Sequence, residues 1–356
     1  MTNPSSDDER DAFLALALTP SFGARRVAAL IAAAGSAVAA CRKSGCRVDA
    51  AARVMAQAGE GGITVLVPSD AAFPASLRSI PNPPAVLFAR GDLTLLERPT
   101  VAIVGSRDHS SYGRDAAALV AAAAGRAGLV VVSGMARGLD AVAHHAVLDA
   151  GGTTIGVLGN GIGVVYPAEN RELYERVERH GLLLTEFPPG ERAGRGAFPR
   201  RNRLISGLAS VLVVVEAARA SGTMITVGTA LEQGRDVMAI PGPIDSPTSA
   251  GTNQLLRDGA EPLLHPDDLL AKFAATPRAA VAAAPSGPVD PPPCTLSPAE
   301  AQVFDALSAG TRHIDDVAER TGLPVGTVLG VLCGLEIAGW VEQSAGSMFR
   351  RLPRRW

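Results

Sequence analysis

Between Thr100 and Pro241 the chain carries six short, almost unbroken apolar runs, at residues 101–104, 129–132, 153–158, 182–185, 211–215 and 236–240. A strand with one wet face alternates apolar and polar residues. A strand-length run without alternation is buried on both faces, as in a parallel sheet covered by helices. Helical stretches fit between the runs, at 112–126, 140–150, 168–179 and 223–233. Strand and helix in alternation, six times over, predict a doubly wound, Rossmann-like α/β sheet.

The flanks read differently. Residues 11–59 are helical in pattern, and Leu18-Thr-Pro20-Ser-Phe-Gly23 leading into an apolar helix has the shape of a helix–hairpin–helix. Such a hairpin either packs as a small helical domain or presents backbone N–H groups to a phosphate. Residues 274–293 are rich in Ala and Pro and read as a linker. Beyond it, Ser297 as N-cap and Pro298 at the first helical position open a helix–helix–turn–helix series, followed by two strand-like segments. That is the order of a winged helix. The expected domains are therefore 1–62, 63–273 and 297–356, with the linker at 274–296.

With 47% hydrophobic and 19% charged residues the chain can bury a core, and its net charge of −2 excludes a uniformly basic nucleic-acid coat. Any surface for a polyanion must be local. The four cysteines, Cys41, Cys46, Cys294 and Cys333, form no C-x-x-C pair, so neither a disulfide framework nor a zinc site is expected. The N-terminal MTNPSSDDERD is acidic and lacks an apolar run, and no stretch suits a bilayer span, which places the chain in the cytoplasm.

In doubly wound folds ligands sit at the carboxyl ends of the strands. The residues there are Gly105-Ser106-Arg107 after the first run, Ser133-Gly134 with Arg137 after the second, Gly159-Asn160-Gly161 after the third, and Ser221-Gly222 after the fifth. Small residues at such points admit close backbone approach and leave helix-start N–H groups for an anion. Arg107 and Arg137 add fixed charge in a fork that matches phosphate. Neither G-x-G-x-x-G at the first turn nor G-x-x-x-x-G-K-[ST] is present, which disfavours dinucleotide and Walker-type sites.

The second constellation runs from Arg192 to Arg203, where Arg192, Arg195, Arg200, Arg201 and Arg203 stand against the single acid Glu191, with Phe198 and Asn202 among them. Arginines that neutralise a backbone, interleaved with an aromatic on which a base can stack, suit sequence-tolerant single-strand binding. A solvated basic loop with Phe198 in the core is the alternative. His144 and His145, between alanines on a helix with no Cys or carboxylate at ligand spacing, read as structural, and Asp140 as a helix-start residue.

These motifs together resemble the DNA-processing protein family, DprA (Smf). The resemblance is carried by Val101-Ala-Ile-Val-Gly-Ser-Arg107, Ser133-Gly-Met-Ala-Arg-Gly-Leu-Asp140 with Ala143-His144, and Leu158-Gly-Asn-Gly161 with Tyr166-Pro-Ala-Glu-Asn170. It continues through Phe198-Pro-Arg-Arg-Asn-Arg203, Val213-Val-Val-Glu-Ala217, Ser221-Gly222 and Pro241-Gly242, with Asp70-Ala-Ala-Phe-Pro74 and Pro83-Pro-Ala-Val-Leu-Phe88 upstream. It implies a non-enzymatic protein without cofactor that binds single-stranded DNA in a basic pocket. It further implies dimerisation through the Rossmann-like domain and loading of the RecA recombinase in natural transformation. By motif, Arg107 and residues 198–203 are the DNA-binding candidates. Arg171 and Arg195 stand in for lysines common in family pockets. The flanks look like the family's SAM-like or helix–hairpin–helix extension and its winged helix.

The presumed recognition helix, residues 325–336, has no Arg or Lys, so protein contact or weak phosphate contact fits it better than base reading. Two other functions compete. A nucleoside monophosphate phosphoribohydrolase would need P-G-G-x-G-T-x-x-E, where this chain has Ser221-Gly-Thr-Met-Ile-Thr226. A winged-helix regulator sensing a phosphorylated metabolite would need a base-reading helix.

Overall fold

A computed structural model of the chain describes residues 6–19, 22–46, 48–194, 196–274, 296–307, 311–338, 340–344 and 347–351. Two compact units emerge, residues 1–281 and 282–356.

The first unit opens with four helices, α1 (Ser6–Ala17), α2 (Ala24–Ala34), α3 (Ala37–Ser44) and α4 (Val48–Glu60). Leu14, Leu16, Val27, Ala40 and Ala51 are buried among them. Pro20 and Ser21 of the expected hairpin lie outside the described residues. Ser36 caps α3 by accepting from the Ala39 amide, and Gly45 ends that helix in the left-handed conformation (φ 62°). That cap turns the chain back and brings Cys41 and Cys46 to a Cα separation of 5.3 Å, where they are disulfide-bonded. The spacing argued against a disulfide framework and left this single local pair unseen. Spacing rules look for frameworks and metal motifs, and they miss a local pair created by a helix cap.

The sheet follows: β1 (Thr64–Leu66), α5 (Ala75–Arg78), β2 (Leu87–Gly91), β3 (Thr100–Val104), α6 (Ser111–Arg126), β4 (Val130–Gly134), α7 (Leu139–Asp149), β5 (Thr153–Val157), α8 (Arg171–His180) and β6 (Leu182–Thr185). It continues with α9 (Ala197–Leu208), β7 (Val211–Val214), α10 (Gly222–Glu232), β8 (Asp236–Ala239), α11 (Ala250–Arg257), β9 (Glu261–Pro262) and α12 (Pro266–Ala271). The strand order is β1-β2-β6-β5-β4-β3-β7-β8-β9; β2 alone runs against the others, so its pairings with β1 and β6 are antiparallel and the rest are parallel.

The unbroken runs behave as two-faced strands. Val101 and Ile103 of β3 pack on one side with α6 and α7, and Ala102 and Val104 pack on the other with α9. Leu212 and Val214 alternate with Val211 and Val213 in the same way along β7. The antiparallel β1 and β2 extend the sheet beyond β6, where the sequence suggested only a lead-in. Among the described residues no single helix is long and apolar enough to cross a membrane.

The second unit holds α13 (Pro298–Ala306), β10 (Arg312–His313), α14 (Ile314–Thr321), α15 (Val325–Ile337), β11 (Val341–Ser344) and β12 (Met348–Arg351), with sheet order β10-β12-β11. Ser297 and Glu300 form a reciprocal capping box at α13. Val303, Val317, Val328, Leu332 and Phe349 form its core, giving the winged helix that the sequence order predicts.

Candidate functional site

The chain runs from β3 outward through β4 and β5 to β6, then returns to place β7 on the other side of β3. At the carboxyl ends of β3, β4 and β5 lies a cleft of about 300 Å³. Arg107, Met135, Arg137, Gly159, Tyr166 and Phe198 are among its walls.

Phe198 stands at its centre. Its place is set by α9, which begins at Ala197 and carries most of the arginine-rich stretch on a helix. A Cβ on Gly159 would lie 2.8 Å from the Phe198 ring, so only glycine at that strand end lets the ring in. The Tyr166 ring meets Phe198 at a centroid distance of 5.5 Å, and the Arg107 guanidinium lies 5.6 Å above Phe198. Arg107 and Arg137 are exposed, and Arg137 pairs with Asp108 at 3.6 Å. An aromatic pair beneath a cation suits a stacked base with an adjoining phosphate.

The floor is polar and closed. Arg201 is buried, donates through Nη1 to the Val157 carbonyl, and rests against Gly134, where a Cβ would come within 2.4 Å of its guanidinium. Burial pushes the neighbouring Asp140 carboxyl up to about 6, against the opposing pull of Arg201, Ser133 and Arg107. Burial likewise pulls the His144 imidazole down to about 4, and its ring nitrogens contact Thr154 Oγ1 at 2.7 Å and the Gly134 carbonyl at 3.2 Å. His144 is thus a satisfied core histidine. Asn170 donates to the carbonyls of Met135 and Ala136, both at 3.2 Å, and fixes the turn after β4.

The residues singled out from sequence therefore separate into three groups. Arg107, Arg137, Phe198 and Arg201 line the cleft. Gly105, Ser133 and Gly134 build it from inside: Leu139 fills the space at Gly105, and Ser133 Oγ donates to the Ile103 carbonyl at 2.6 Å. The close backbone approach expected of these small residues is taken by the protein's own side chains. Ser106 likewise donates within its own loop, to the Asp108 carbonyl at 2.6 Å.

The remainder lie apart. Ser221 and Gly222 start α10 and do not line the cleft, although the next residue reaches it from behind: Thr223 Oγ1 donates to the Gly105 carbonyl at 3.0 Å. Arg200 and Arg203 do not stand free in a basic stretch. Both pair with the buried Glu186 carboxylate, at 2.9 and 2.5 Å, and burial lowers the Arg203 pKa against the pull of Glu186. Asn202 accepts from Arg201 Nε at 3.2 Å. Arg171 is exposed at the start of α8, and Arg195 lies outside the described residues. The charge count over 191–203 overstated the free cations because Glu186 precedes it in sequence and enters the cluster only in three dimensions.

Tyr166, Met135 and Glu169 line the cleft and were not singled out. Tyr166 lay within a recognised motif, but its pairing with Phe198 crosses from the turn after β5 to α9, beyond the reach of local spacing. Among the described residues no group of His, Cys, Asp and Glu could hold a metal.

The family described as DNA recombination-mediator protein A matches residues 64–274, and that of the DprA winged helix domain matches 287–347. Protein Smf of Escherichia coli is 38% identical over 294 residues, covering 80% of this chain and 77% of that protein. DNA processing protein DprA of Bacillus subtilis is 41% identical over 218 residues, 61% of this chain and 73% of that protein. The solved structure of DNA processing protein A from Streptococcus pneumoniae superposes with a TM-score of 0.64 at 33% identity, over 77% of this chain and 99% of that one. That of Helicobacter pylori, described for its single-stranded DNA binding mode, gives a TM-score of 0.55 at 27% identity, over 59% of this chain and 95% of that one.

Proposed function

The chain belongs to the DNA recombination-mediator protein A family, and on that premise we propose that it binds single-stranded DNA in the cleft at the ends of β3, β4 and β5, without catalysing a reaction. The observation that carries this reading is the Arg107 guanidinium above the Phe198 ring, with Tyr166 alongside. A base stacks on the rings while Arg107 and Arg137 hold the phosphates beside it. Stacking needs an unpaired base, so a duplex cannot use the platform.

The full proposed site comprises Arg107, Arg137, Phe198 and Arg201 at the cleft, with Arg171 and Arg195 extending the cationic path and Arg200 beside it, paired to Glu186. Gly105, Ser106, Ser133, Gly134, Asn202 and Arg203 shape it. Ser221 and Gly222 offer a neighbouring helix start. In the same reading the protein works in the cytoplasm, loads the RecA recombinase onto the strand it holds, and dimerises through the Rossmann-like unit. The strongly exposed apolar Ile244 and Leu264, which follow the adjacent strands β8 and β9, are surface that dimerisation would cover.

The test is fluorescence anisotropy with labelled oligo-dT and a matched duplex. The expected result is a clear preference for the single strand. Equal binding of the duplex overturns the stacking platform, and product formation from a nucleotide ligand overturns the non-enzymatic reading.

A further inference from the structure

A carboxylate is costly in a cleft that holds DNA by its phosphates, yet one lines this cleft. Glu169, in the 3-10 turn Ala168–Asn170 just before α8, is exposed and shares the cleft with Arg107, Arg137, Tyr166 and Phe198. Among the described residues the Glu169 carboxylate makes no hydrogen bond and no ion pair. The arginines there have other company: Arg137 pairs with Asp108 at 3.6 Å, Arg107 lies over Phe198, and Arg201 is bonded to the Val157 carbonyl. So Glu169 is not the neutralising partner of a cation in the wall. Facing a phosphate it would repel the ligand.

A DNA strand offers hydrogen-bond donors only on its bases. An ionised carboxylate accepts and never donates, so the bases are not equivalent to it. Guanine presents N1–H and N2–H side by side, matching both carboxylate oxygens. Adenine and cytosine present one amino group beside an acceptor nitrogen, and the N3–H of thymine is flanked by two carbonyl oxygens that a carboxylate repels. A cleft of about 300 Å³ is at the small end of ligand pockets and suits one base, not a run of them.

We propose that Glu169 makes this cleft a guanine-selective subsite within an otherwise sequence-tolerant track. One guanine of the bound strand lies against Phe198 and Tyr166 and donates N1–H and N2–H to Glu169, while Arg107 and Arg137 take the adjoining phosphates. This rests on the reading of the cleft as the single-strand site. The rest of the strand passes outside the cleft and is held by its backbone, so overall binding still tolerates any sequence.

The experiment compares an oligo-dT strand with the same strand carrying one central dG or one central dC, by competition anisotropy with the full chain at fixed salt. The dG strand is expected to bind roughly tenfold tighter than oligo-dT, the scale of a good bidentate base contact, with dC close to dT. Glu169→Ala should abolish the preference and tighten oligo-dT slightly, since a negative charge leaves the phosphate path. Glu169→Gln, which keeps one acceptor, should fall between. Equal binding of dG and dT strands by the wild-type protein overturns the proposal, as does a preference that survives Glu169→Ala. Failure of every strand to bind overturns the reading of the cleft itself, and this subsite with it.

Discussion

The carboxyl end of the Rossmann-like sheet and helix α15 of the winged helix occupy the places where their folds meet ligands, and their chemistry is opposite. The sheet end gathers arginines, an aromatic pair and a buried polar floor. Helix α15 has no cation, leaves Val325 and Leu329 nearly half exposed, and carries Gly326, Gly330 and Gly334 with open space beside each. Phosphate contact needs charge and base reading needs polar side chains, so the chemistry of the sheet end suits DNA better than that of α15. A fold supplies the location of a site; side chains decide whether it is one.

The sharpest way to break the contrast is to remove the floor of the cleft. Arg201→Ala leaves a cavity against Gly134 and an unbonded Val157 carbonyl in the buried floor, so denaturant unfolding should show a loss of about 2–4 kcal/mol, the scale for a buried large-to-small change with a hydrogen bond lost. A neutral outcome would make Arg201 a ligand group and not a structural one.

The floor also titrates. Asp140 holds its proton more tightly folded than unfolded, so its contribution is present below about pH 4 and is lost as pH rises through about 6. His144 is the reverse: its contribution is present above about pH 6.5 and is lost as pH falls through about 4. Between about pH 4 and 6 the two oppose each other. In Asp140→Asn the opposing Asp140 contribution is gone, so relative to wild type the variant should lose more stability from pH 6.5 to 4, by on the order of 2–3 kcal/mol, read as Tm against pH. A curve parallel to the wild type contradicts the buried network.

Smaller effects separate the two regions directly. Phe198→Ala should weaken oligo-dT binding by about 1–3 kcal/mol, the value of one stacked base, with the fold intact by circular dichroism. Leu329→Glu on α15 should change oligo-dT affinity less than about twofold, because no DNA contact is lost there. If the α15 variant matched the Phe198 variant, the winged helix would belong to the DNA site.

Much of this was legible in the sequence. The six unbroken runs fixed the parallel strands because burial on both faces removes alternation, and Ser297 with Pro298 marked the opening of the winged helix. The Arg107 turn followed from reading strand ends. What stayed hidden depends on partners distant in the chain. Glu186 neutralises Arg200 and Arg203 from the preceding strand end, and Gly134 and Gly159 make room for Arg201 and Phe198 of α9. β1 is a three-residue edge strand, and β2 joins the sheet through a partner, β6, that lies about ninety residues further along the chain, so neither is marked by local pattern. The Cys41–Cys46 pair depends on the left-handed turn at Gly45.

In the proposed site Arg107 holds a DNA phosphate above an aromatic platform. The most direct test is the salt dependence of oligo-dT affinity for wild type and Arg107→Ala, each measured across a series of salt concentrations. Loss of one phosphate contact should weaken binding and make the slope of log K against log salt shallower by about 0.7, the value per charge for single strands. An Arg107→Ala protein with unchanged affinity and unchanged slope would contradict the account and leave the cleft to some other ligand.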